Sequence, residues 1–77
     1  MIVEVEDLVP GARYQVDYKH LHLNRGFRFT GTYLERGEDG DDGPVVVFEV
    51  KPRFGPPARQ PVAIAALVQI APAPDPA

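Results

Sequence analysis

Between residues 12 and 19 apolar and polar side chains alternate without a break. Ala12, Tyr14, Val16 and Tyr18 fall on one face, and Arg13, Gln15, Asp17 and Lys19 on the other. One buried and one wet face predict a strand of an antiparallel sheet. Ahead of it stands Asp7-Leu8-Val9-Pro10-Gly11. Proline at the first central position and glycine at the second predict a type II turn, because the second position needs φ > 0. Ile2 to Glu6 alternates more weakly, with Val3 and Val5 against Glu4 and Glu6.

Past a connecting loop over His20 to Gly26, Phe27 to Arg36 reads as a long strand with Phe27, Phe29 and Tyr33 on the core face. Gly31 lies among them, and glycine inside a strand marks a sharp bend or a close backbone crossing. Leu34 is out of phase with that set, which predicts a bend or bulge near Gly31. The glycine-punctuated acidic run from Gly37 to Pro44 predicts a hairpin loop, and Val45 to Lys51 a third long strand with Val46, Phe48 and Val50 inward. Pro52 to Pro61 holds four prolines and a glycine and reads as a loop. In the next stretch Ile64, Leu67, Val68 and Ala71 fit helical spacing, yet Gln60 and Pro61 supply no N-cap. The preferred reading is a short strand, one 3₁₀ turn at Ala65 to Leu67, and a last short strand ending at Ile70. Residues 1–71 then form one domain, followed by a Pro/Ala-rich disordered tail over 72–77.

This order resembles the SH3-like small barrels, the class that includes Tudor, KOW and Sm-like domains. The resemblance rests on Leu8 with Pro10-Gly11 before the first strand, a bent second strand carrying Gly31, the hairpin into Val45 to Val50, and the apolar close of Ile64 and Ile70 ahead of Pro72. It implies an all-β, strongly bent antiparallel barrel of about five strands, with a short 3₁₀ turn before the last. Arg28 to Leu34 is similar to the glycine-containing second strand of Sm-like proteins. Glu35-Arg36-Gly37-Glu38-Asp39 follows, without the asparagine of the Sm uridine-binding loop. The tyrosines fall on core faces and tryptophan is absent, so a Tudor-type cage of exposed rings has no source.

Composition narrows the chemistry. A chain of 77 residues buries only about 60% of its unfolded surface, and no cysteine staples it. Neither serine nor cysteine occurs, which removes the common nucleophiles, and Thr30 and Thr32 have no activating base beside them. No apolar run is long enough to span a bilayer, and the first ten residues carry acids where a signal peptide carries bases. The expectation is a soluble cytoplasmic protein without enzymatic activity and without a cofactor. His20 and His22, with Asp17 nearby, lack a third metal ligand and read as loop histidines. A calcium loop begun at Asp39 would need glutamate where Val50 stands, and the carboxylates between Gly37 and Gly43 would repel phosphate. Arg25-Gly26-Phe27-Arg28-Phe29 partly matches an RNA-recognition signature, but the chain has no segments for that fold's two helices. Phe27 and Phe29 are therefore expected in the core.

Surfaces remain. The candidate partner-binding residues are Phe54, in a proline-rich loop where the pattern leaves its burial open, with Arg53 and Arg59 on the same loop. They point to an interaction module that binds a protein partner, or that self-associates through open sheet edges. The alternative is RNA or single-stranded nucleic-acid binding on a face formed by Arg13, Lys19, Arg25, Arg28 and Lys51. Ordinary cross-strand pairing of those cations with Asp17 and Glu49 competes with it. The net charge of −3 disfavours nonspecific phosphate binding.

Overall fold

The computed structural model describes residues 2–20, 24–41 and 43–74. Five antiparallel strands form one sheet: β1 (Arg13–His20), β2 (Arg25–Asp39), β3 (Gly43–Val50), β4 (Ala58–Ala63) and β5 (Leu67–Pro72). Their order across the sheet is β4-β3-β2-β1-β5. Two 3₁₀ turns, η1 (Val5–Asp7) and η2 (Ile64–Ala66), flank β1 and separate the last two strands.

β1 starts where the turn chemistry demands. Gly11 has φ +91°, and the Ala12 N–H donates to the Val9 carbonyl at 3.0 Å. Leu8 and Tyr14 are buried beside this turn, and the Tyr14 hydroxyl accepts the Val9 N–H at 2.9 Å. The Val3 N–H donates to the Ile70 carbonyl at 2.7 Å, so the weakly alternating N-terminus crosses β5 at one point and then coils into η1.

β2 organises the whole sheet. Its first half, Arg25 to Thr32, pairs with β1, and its second half, Thr32 to Asp39, pairs with β3. The two ladders overlap at Thr32, so the sheet divides into two wings that share one strand. A methyl group at Gly31 would lie 3.0 Å from the Glu49 carbonyl oxygen and 3.2 Å from Phe48 Cβ. Glycine is favoured because β3 passes there at backbone distance, and an added methyl would press on the Glu49 carbonyl. The bulge sits a little further on, between Tyr33 and Glu35, and returns Leu34 to neither ladder.

The core fills the fold between the wings. Val16, Val46 and Phe48 are fully buried, with Tyr33, Val62 and Ile70 around them. Phe29, Phe48 and Tyr33 pack ring to ring at centroid distances of 5.6 Å.

Several expectations change. The sheet is not closed into a barrel: β4 pairs only with β3 and β5 only with β1, and η2 is their link. Pro61 lies on the free edge of β4, where it has no N–H to offer a neighbour. Residues 58–61 are strand rather than loop for the same reason, since an edge position tolerates proline. His20, Arg25 and Gly26 extend the first hairpin, and Asp39 and Gly43 the second. Asp41 N–H to Asp39 Oδ1 at 2.9 Å shapes that second tip. β5 continues to Pro72, and the Ala73 N–H donates to the Arg13 carbonyl. The remainder of the expected tail, residues 75–77, lies outside the described residues, as does His22.

Candidate functional site

The β3–β4 ladder closes at Val50 and Ala58, and the seven residues Lys51-Pro52-Arg53-Phe54-Gly55-Pro56-Pro57 connect them. Each proline fixes its own φ, and Gly55 takes φ +102°, a conformation other residues resist. The three prolines limit the backbone there, while Gly55 takes a turn that a side chain would strain. Phe54 lies in this loop with 87% of its surface exposed. Leaving a phenylalanine in water forgoes about 1.5–3 kcal/mol of burial free energy. Arg53 and Lys51 beside it are exposed, and no ion pair holds either among the described residues. Arg59, in β4, is exposed, with its Nη1 4.0 Å from Glu35 Oε1.

The cations considered for nucleic acid separate into groups. Arg13 and Lys51 face a groove of about 320 Å³ with Thr30, Gly31, Thr32 and Glu49. Lys19 and Arg25 lie at the far end of the first hairpin, about 20 Å along β1 from Arg13. Between them Arg28 donates to Asp17 at 2.6 Å and 3.4 Å. That hydrogen bond, with the attraction of the Asp17 carboxylate, holds the Arg28 guanidinium above its ordinary pKa. Cross-strand pairing thus interrupts the basic face at its centre.

Phe27 departs from expectation. It lies on the core face, yet it remains 36% exposed because the hairpin end extends beyond β5, whose ladder on β1 stops at Tyr18. Tyr18 stacks on it at 5.5 Å, the Arg25 guanidinium lies 5.9 Å from its ring centre, and Tyr18 meets Phe29 edge-on at 5.8 Å. Rings thus run continuously from the core to the surface. Further inside, burial pushes the Tyr33 phenol above its usual pKa.

Among the described residues no group of three His, Cys, Asp or Glu side chains could hold a metal ion, and no helix is long and apolar enough to cross a membrane. The groove residues Thr30, Thr32 and Glu49 were not legible as a site. Their grouping depends on the register at which β3 leaves β2, and no local pattern encodes that register. Comparison with protein-family models, curated proteins and solved structures finds no match.

Proposed function

We propose that the chain is a non-enzymatic interaction module that docks a protein partner through the loop carrying Arg53 and Phe54. The observation that carries this reading is the exposure of Phe54 on a loop in which three prolines fix their own φ. Restrained aromatic side chains lose little entropy on binding, and they dominate the energetics of interface centres. Arg53, its sequence neighbour, and Lys51, the first residue of the loop, bring donors for a partner's carbonyls or carboxylates. The strand order, with β1 between β2 and β5 and a 3₁₀ turn before the last strand, supports an SH3-like barrel left open between β4 and β5 as the scaffold.

The test is photocross-linking in the cells that make the protein, with benzoylphenylalanine replacing Phe54. A discrete adduct with a second protein is expected from this position and not from the same probe at Glu38 on the opposite hairpin. An adduct of twice the chain's mass identifies self-association as the form of docking. Equal adducts from both positions, or none, contradict the reading.

A further inference from the structure

At the groove beside this loop, the ladder between β2 and β3 comes open. Tyr33 exchanges backbone hydrogen bonds with residues 11 and 12, so the odd residues of β2 up to Tyr33 turn their peptide groups toward β1. The even residues turn theirs the other way. Thr32 meets Glu49 there, but Thr30 would need Lys51, and the ladder ends at Glu49 because Lys51 turns away into the loop. Thr30 pairs with Gln15 of β1, but its N–H and C=O turn to the other side, where β3 offers no partner, and Arg28 two residues back repeats the arrangement.

Side chains complete the setting. Arg13 and Lys51 border the groove as cations without an ion-pair partner among the described residues, with the Thr30 and Thr32 hydroxyls between them. Glu49 supplies one carboxylate. The local charge is thus +1 on a chain whose net charge is −3. That pattern suits a ligand with spaced carboxylates and its own amide donors. A phosphate backbone would use the cations but would meet the Glu49 carboxylate and the Thr30 carbonyl with nothing to donate.

We infer that the groove receives an extended acidic peptide segment, which adds to the free edge of β2 at Thr30 and sets a carboxylate between Arg13 and Lys51. This deepens the reading of the Phe54 loop as a protein-docking site and rests on it, since Lys51 is both a wall of the groove and the first residue of the loop. Backbone pairing would fix the direction of the bound segment.

The probe is a short peptide of alternating threonine and glutamate, capped at both ends and titrated into ¹⁵N-labelled protein. Amide shifts are expected at Arg13, Thr30, Thr32, Glu49 and Lys51. Arg13→Glu with Lys51→Glu should weaken binding about tenfold or more, and Arg36→Glu should leave it unchanged. N-methylation of alternate peptide amides should weaken it to a similar degree, and a threonine–lysine peptide should not bind. Absence of shifts at the groove overturns the inference, as does equal binding of the N-methylated peptide. So does a groove that responds to oligothymidylate and not to the acidic peptide. The Phe54 reading stands apart from these results: a cross-linked adduct that persists in the Arg13→Glu, Lys51→Glu protein keeps the loop and removes the groove.

Discussion

Phe48 and Phe54 are the same side chain six positions apart, and the fold gives them opposite settings. Phe48 has no exposed surface and touches the rings of Phe29 and Tyr33. Phe54 touches little and is exposed over nearly its whole surface. The difference comes from what carries each residue. Phe48 is an inward position of β3, held by pairing to β2 on one side and β4 on the other. Phe54 is on the loop between β3 and β4, where no strand pairs with it.

This contrast can be broken or sharpened by substitution. The largest effect belongs to Phe48→Ala, which should cost about 3–5 kcal/mol in urea denaturation, enough to unfold much of a domain this size. A cost below about 1 kcal/mol would remove Phe48 from the centre of the core. Gly31→Ala comes next, because its added methyl meets the Glu49 carbonyl, which is backbone and cannot rotate aside. A loss of about 1–3 kcal/mol is expected, and wild-type stability would show that β3 does not cross there.

Tyr33 gives a smaller effect that depends on pH. Burial raises its pKa in the folded chain, so the unfolded chain ionises first as the pH rises. The stabilisation is whole below about pH 10 and is lost as the pH climbs from there through the folded pKa. Melting curves in alkaline buffer should fall more gently for Tyr33→Phe than for wild type, and parallel curves would contradict the assignment. Arg28→Ala should move the melting temperature least of these, since the Arg28–Asp17 pair is on the surface. Any shift should vanish in concentrated salt.

The sequence announced β1 and the turn at Pro10-Gly11, and it marked Gly31 as a bend or a close crossing, of which the structure shows the crossing, because each rests on a local rule of backbone geometry. The strand–3₁₀–strand ending followed from prolines at both limits and from a missing N-cap. Local rules failed where a tertiary position decided the outcome. Pro61 reads as a strand breaker until β4 is known to be an edge. Phe27 alternates like a core residue, but alternation names a face and not what covers it. Phe54 was legible as a candidate because no strand pattern claims it, whereas the groove at Thr30 depends on where two ladders part.

The most direct test of the contrast pairs stability with partner retention for Phe54→Ala. The substituted protein should melt at the wild-type temperature while losing the partner that wild type retains from a lysate of its own cells. Recovery of the same partner by both proteins would contradict the account, and so would a fall in melting temperature like that of Phe48→Ala.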